Sequence, residues 1–319
     1  MIKREAVIIA NRHNEKLVGI LESPIAPRKD AVVLLLSPGI KMRVGPNQLY
    51  HTLSRIFTDQ GFCVLRFDFS GLGDSGGEIH EQRVLKIYNA IQDGCYVDDT
   101  VAAIDWIESR LHCSRIIAAG LCGGAITGLL TAVEDRRIEG LVSLGMPVSF
   151  EGGEQDYWRF VTDAELKGLE KRYFGNLRRF NSWIRFLTFR SDYRIIFKML
   201  YHYLREITGP KPLPKHEPAR EKPSNVNPKF LPAFQHMASQ RHPILLIFGG
   251  QDRWTFEFTE KFQEPNREVL SQYADVYNVV VVPHANHILS SPAARGKLIK
   301  TIGTWTRKQY ARKILGEAS

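Results

Sequence analysis

The chain has 319 residues, with 43 Lys and Arg against 34 Asp and Glu and 44% hydrophobic residues. That length corresponds to about two domains of roughly 150 residues, or to one large α/β domain carrying an insertion, and it can bury a core without disulfides or metals. An ordinary balance of 10% aromatic and 24% charged residues excludes disorder for most of the chain. The longest apolar runs, 31–36 and 279–282, fall far short of the ~20 residues a membrane span needs.

The start, MIKREAVIIANRHNEKL, reads as no signal peptide. Four cysteines, Cys63, Cys95, Cys113 and Cys122, form neither a C-x-x-C pair nor a metal-ligand spacing. A cytoplasmic chain with free thiols and no cofactor is therefore expected. A net charge of +9 favours an anionic partner of some kind.

In chain order, residues 6–10 and 17–21 are apolar runs flanking the turn-like Asn11-Arg12-His13-Asn14, which predicts a hairpin. The run AVVLLL at 31–36 suits a strand covered on both faces. A helix is predicted over 49–58, with Leu49, Leu53, Ile56 and Phe57 on one face. FCVLRFDF at 62–69 is the next strand, and Gly71, Gly73, Gly76 and Gly77 make the loop after it. A helix over 97–111, a strand over 115–119, a small-residue helix ending near Val133 and a strand over 141–144 follow. Strands separated by single helices imply a mostly parallel sheet. After Pro147 the residues to about 208 are aromatic, arginine-rich and helical in pattern, and seven prolines between Pro210 and Pro232 predict a long loop. Strands over 244–248 and 279–282 and a closing helix over about 293–310 restore the α/β pattern.

Three sites fall at the carboxyl ends of predicted strands, where open α/β sheets gather their active sites. Gly120-Leu121-Cys122-Gly123-Gly124 has the spacing of a nucleophile held in a tight strand-to-helix turn. There the side chain meets a helix N-terminus, which favours an anion. An isolated cysteine in a glycine-rich turn is more often buried and inert; the strand and helix around this one favour a nucleophile. Asp252, in Phe248-Gly249-Gly250-Gln251-Asp252, is placed either to orient a histidine or simply to cap the next helix. Pro283-His284-Ala285-Asn286-His287 supplies a candidate general base or a pair of surface histidines. The chain order Cys, Asp, His favours the catalytic reading of all three.

On these residues the chain resembles the α/β-hydrolase fold family. The resemblance covers 1–147 and 243–319, and rests on LLLSPGI at 34–40, GFCVLRFDFSGLGDSGG at 61–77, GLCGG, GGQD and HANHI. It implies a mostly parallel α/β-hydrolase sheet with a helical cap, residues 148–242, inserted after the sixth core strand. It also implies Cys122 as nucleophile, Asp252 as acid, His287 as base, and the N–H groups of Gly123 and Ile40 as oxyanion hole. The family's usual nucleophile is serine and its usual oxyanion motif begins His-Gly, whereas this chain has Cys122 and Pro38-Gly39. Dienelactone hydrolases and polyhydroxyalkanoate synthases resemble it in using cysteine on this fold.

A cysteine nucleophile forms a thioester intermediate, which stays reactive toward water or another acceptor. The expected substrate is therefore an acyl ester or thioester. Hydrolysis is the first expectation, acyl transfer the second, and ligand binding without catalysis the third. Between Lys171 and Arg205 lie nine basic residues, one acidic residue and ten aromatics. Trp183, Phe186, Tyr193 and Phe197 keep near one helical face. Either this face only covers the site, with the arginines solvated, or it binds substrate. In the second case Trp183 and Phe186 line an acyl pocket, and Arg178, Arg179 and Arg185 meet an anionic carrier such as coenzyme A or an acyl carrier protein. No nucleic-acid-binding motif is found, and a basic aromatic helix also suits peripheral contact with anionic lipid.

Overall fold

The computed structural model describes residues 2–27, 30–79, 81, 83–151 and 224–310. The chain divides into two compact units, Met1–Glu154 with Asn225–Ser319, and Gln155–Ser224. Trp183, Phe186, Arg178, Arg179 and Arg185, and with them residues 152–223 of the expected helical cap, lie outside the described residues.

The first unit is built on one eight-stranded sheet. Its strands are β1 (Ile2–Ala10), β2 (Lys16–Pro24), β3 (Val32–Leu36), β4 (Cys63–Phe67), β5 (Ile116–Leu121), β6 (Ile138–Leu144), β7 (Ile244–Gly249) and β8 (Tyr277–Val282), in the order β1-β2-β4-β3-β5-β6-β7-β8. β2 runs antiparallel to both β1 and β4, and the other pairings are parallel. The hairpin turn is closed by the Asn11 side chain, which accepts the N–H groups of His13 and Glu15, each at 3.0 Å. This is the local use of asparagine that the turn pattern predicts.

Alternation along the buried strands sorts their side chains into two layers. Leu34, Leu36, Leu65, Ala118 and Leu141 face a cluster with α3 (Val97–Leu111), α4 (Gly123–Glu134) and α5 (Phe230–Ser239). Val33, Leu35, Val64, Ile117 and Val142 face the opposite cluster, with α1 (Leu49–Thr58) and α8 (Pro292–Tyr310). A wholly buried Leu, Ile or Val contributes about 1.5–3 kcal/mol, so strands apolar on both faces are held at the centre of the sheet.

Two elements differ from expectation. α2 (Val84–Asp93) lies in a stretch given no element from the sequence. No side chain caps its start, although Gly94 ends it in the left-handed region at φ 104°. The insert, expected over 148–242, gives up its last part to the core: α5 buries Phe230, Ala233, Phe234 and Met237 against the sheet. Pro232 does not prevent this helix, because it stands in the first turn, where its missing N–H is one that would have no intrahelical partner.

Residues 148–151 and 225–227 form a narrow neck. Ser149 and Val226 make an antiparallel bridge, the Phe150 N–H donates to Asn225 O at 2.8 Å, and the Asn227 N–H donates to Val148 O at 2.9 Å. The Asn227 amide also donates to the Gln92 carbonyl on α2 at 2.6 Å.

Candidate active site

β3 lies between β4 and β5, so the chain leaves the centre of the sheet in one direction after β3 and in the other after β5. The crevice at such a switch point is the usual ligand site of an open α/β sheet. Cys122 stands there, between β5 and α4, at φ 53° and ψ −115°. This non-glycine residue in a strained conformation is one that only a tightly determined turn holds. A Cβ on Gly120 would come 2.7 Å from the Gly124 carbonyl carbon, and one on Gly123 would come 2.7 Å from Gly39 Cα. The glycines let strand, helix and the 37–40 loop meet at this turn.

The Tyr50 hydroxyl braces the same place. Fully buried on α1, it donates to Leu36 O at 2.6 Å and accepts the Leu121 N–H at 2.9 Å. One oxygen thus ties the end of β3 to the residue before Cys122. Complete burial raises its pKa far above the ordinary phenol value. The Gly123 and Ile40 N–H groups take no acceptor among the described residues; Gly123 follows Cys122 directly, and Gly39, the residue before Ile40, packs against Gly123.

Asp252 and His287 come together across two loops. The Gln251 N–H donates to Ala285 O at 2.9 Å and the Gly250 N–H to Val282 O at 2.8 Å, which laces the β7 loop to the β8 loop. His287 Nδ1 lies 2.7 Å from Asp252 Oδ2. Asp252 is buried, and its other oxygen accepts the Trp254 N–H at 3.3 Å as the cap of α6 (Arg253–Glu257). The helix-cap reading and the histidine-orienting reading of Asp252 therefore both hold. Burial lowers the His287 pKa, but hydrogen bonds to Asp252 and Cys122 and their charges outweigh it and raise it to about 10. His284 is exposed, with a left-handed backbone at φ 57°.

Several residues around Cys122 were not singled out from sequence. Gly145, at φ 52° just past β6, backs the histidine: a Cβ there would come 2.8 Å from His287 Nδ1 and 3.1 Å from Asp252 Oδ2. From α2, Tyr88 approaches Gly39 and Ile91 approaches Gly123. Burial, and then the charge of Cys122, raise the Tyr88 pKa. The spacing of Val84, Ile87, Tyr88 and Ile91 was a legible helix signal for this wall; Gly145 carries none. Of the other thiols, burial pushes Cys95 up to about 12, although the residue as a whole is exposed, and burial also pushes Cys113 up.

A tight strand-to-helix turn at the switch point, with an Asp–His pair from the ends of β7 and β8, is the site plan of an α/β hydrolase. The model of the alpha/beta hydrolase family matches residues 35–295, and the chain belongs to that family. A curated relative, the uncharacterized protein YcjY of Escherichia coli, is 27% identical over 114 residues, 36% of this chain and 34% of that protein. Among solved structures, the Pyrococcus furiosus esterase Pf2001 is similar at TM-score 0.56 and 18% identity, over 96% of this chain and 91% of that one. A dienelactone hydrolase from Anabaena variabilis is similar at TM-score 0.51 and 14% identity, over 96% and 98%. At these identities the likeness is one of fold. Among the described residues no helix is long and apolar enough to cross a membrane.

Proposed function

We propose that the protein is a cysteine-dependent hydrolase of acyl esters or thioesters, working through Cys122, His287 and Asp252. The observation that carries this reading is the 2.7 Å contact of His287 Nδ1 with Asp252, beside Cys122 in its strained turn, whose charge helps to raise the His287 pKa. The Cys122 thiol passes its proton to His287, and the sulfur attacks the carbonyl carbon to form a C–S bond. The oxygen becomes an oxyanion bound by the Gly123 and Ile40 N–H groups. As the intermediate collapses, the bond to the leaving group breaks and His287 supplies the leaving group's proton. Water then attacks the acyl-cysteine, His287 takes its proton, and the acid leaves with the thiol restored. Asp252 holds the ring and balances its charge throughout.

The names of an esterase and a dienelactone hydrolase among similar structures support hydrolysis. The thioester intermediate also suits transfer of the acyl group to an acceptor other than water. Coenzyme A or an acyl carrier protein is the carrier in this reading. Free thiols at all four cysteines suit a cytoplasmic site of action.

Intact mass spectrometry after incubation with a panel of acyl thioesters tests the reading. A mass increase of one acyl group, mapped to Cys122 and lost in Cys122→Ala, is expected. Turnover without acylation, or acylation at another residue, overturns it.

A further inference from the structure

The strongest unassigned feature next to the Asp252–His287 pair is a cation. Arg253 follows Asp252 directly in sequence. Its guanidinium lies over the Trp254 ring at 4.1 Å and forms an ion pair with Glu151, a residue 102 positions away. Glu151 is itself fixed from α2. The Asn89 side chain accepts the Glu151 N–H at 2.8 Å and donates to the Glu151 carbonyl at 3.1 Å. Asn89 is next to Tyr88, on the helix that walls the Gly39 and Gly123 side of Cys122. The pair thus ties the residue after Asp252 to α2, whose Tyr88 and Ile91 approach Gly39 and Gly123.

Among the described residues Glu151 is the sole hydrogen-bond partner of Arg253, and one nitrogen, Nη2, makes that contact. The remaining N–H groups of the fork make no hydrogen bond to a described residue, and the side chain is 31% exposed. Burial lowers the Arg253 pKa, with the charges of Glu257 and Cys122 opposing it. The group nevertheless stays cationic, as arginine does in proteins. A planar fork resting on an aromatic ring, with one edge held and the other open, is shaped for a second carboxylate.

We infer that Arg253, held by Glu151 and Trp254, is an anion receptor that selects substrates carrying a carboxylate near the scissile carbonyl. This inference rests on Cys122 being the nucleophile and deepens that reading by naming a substrate class. The two members of the ion pair then have opposite roles. Arg253 attracts the substrate's carboxylate, whereas Glu151 orients the guanidinium at the expense of repelling the same carboxylate.

Alkylation of Cys122 by iodoacetate and by iodoacetamide tests this without requiring turnover. In both reactions the sulfur forms a C–S bond as iodide leaves, and the reagents differ chiefly in one negative charge. Rates at Cys122 are followed by peptide mass mapping, which separates it from the other three thiols. The ratio of iodoacetate to iodoacetamide rates should fall about threefold or more in Arg253→Gln, the size of one partly exposed charge contact. It should rise in Glu151→Gln and recover in part in Arg253→Lys. A pair that serves only the fold would not move the ratio in opposite directions. Ratios equal in all variants, or falling in both Gln variants, overturn the receptor while leaving the nucleophile standing. Cys122 inert to both reagents in the native protein overturns the nucleophile and the receptor together.

Matched 4-nitrophenyl esters then locate the carboxylate. A hemiglutarate against a butyrate places it on the acyl side, and a carboxylated nitrophenol leaving group against the plain one places it on the other. Arg253→Gln should raise KM for the arm that carries the anion. Equal effects on all four esters count against the proposal.

Discussion

Tyr50→Phe isolates the brace behind the nucleophile, because it removes one oxygen and keeps the ring. The Leu121 N–H loses its acceptor at 2.9 Å and the Leu36 carbonyl its donor at 2.6 Å, in a place where Tyr50 is wholly buried. A buried donor left without an acceptor costs roughly 1–3 kcal/mol, and a carbonyl with two lone pairs loses less. We therefore predict a destabilisation of about 2 kcal/mol, read as a lower midpoint of urea unfolding at constant m value. Activity should suffer beyond stability. Leu121 precedes Cys122 and Leu36 precedes the 37–40 loop, so on the proposed mechanism slack between them misaligns the sulfur and the N–H groups assigned to the oxyanion. A fall in kcat of about tenfold, at substrate concentrations that saturate and at a temperature where the variant is folded, is the expected size. A variant within ~0.5 kcal/mol of the parent, as for ordinary surface changes, and with unchanged kcat would refute the brace.

Cys122→Ala should abolish turnover while leaving the protein folded, and Cys122→Ser should be slower than the parent, since a site built around sulfur need not deprotonate an alcohol well; more than about a tenth of parental activity in the Ala variant rules out covalent catalysis. His287→Asn, and not His284→Asn, should remove the enhanced alkylation of Cys122 at neutral pH; the reverse outcome reassigns the base. His287 has a folded pKa of about 10 against an ordinary 6.5, so its stabilising contribution is complete below pH 6.5 and is lost as pH rises toward 10. Unfolding midpoints should fall across that window, less so in Cys122→Ala, which lacks one of the ring's partners; a flat parental profile contradicts the assignment. Gly145→Ala should cost about 1–2 kcal/mol for its left-handed backbone and cut kcat by pushing the His287 ring off Asp252; full activity in a folded variant argues against that contact.

What could be read from the chain, and what could not, follows from the range of the interactions. α1 and α3 are found at the residues predicted, because their apolar positions repeat at the helical period. The strands are found because runs such as VVLLL have nowhere to go but the centre of a sheet. Cys122, Asp252 and His287 stand in short local patterns at strand ends, so their meeting could be anticipated. α2 went unread because a glycine-rich loop precedes it and no side chain caps its start. α5 went unread because Pro232 was counted with the loop before it. Gly145, Tyr50 and the Glu151–Arg253 pair acquire their meaning from partners 102 or more positions away in sequence, or 71 in the case of Leu121 and Tyr50. No pattern within one segment encodes them.

The neck at 148–151 and 225–227 makes the two parts of this chain separable in evolution. The excursion leaves and returns through adjacent, mutually bonded residues, with Asn225 and Asn227 clamping the crossing from outside. The entropy of closing such an excursion rises by only about 0.6 kcal/mol for each doubling of its length. Sequence and length between the two stalks can therefore drift, or be exchanged for another segment, at little expense to the sheet. The sheet and the turns at its strand ends can then stay constant while the sequence between the two stalks is free to change.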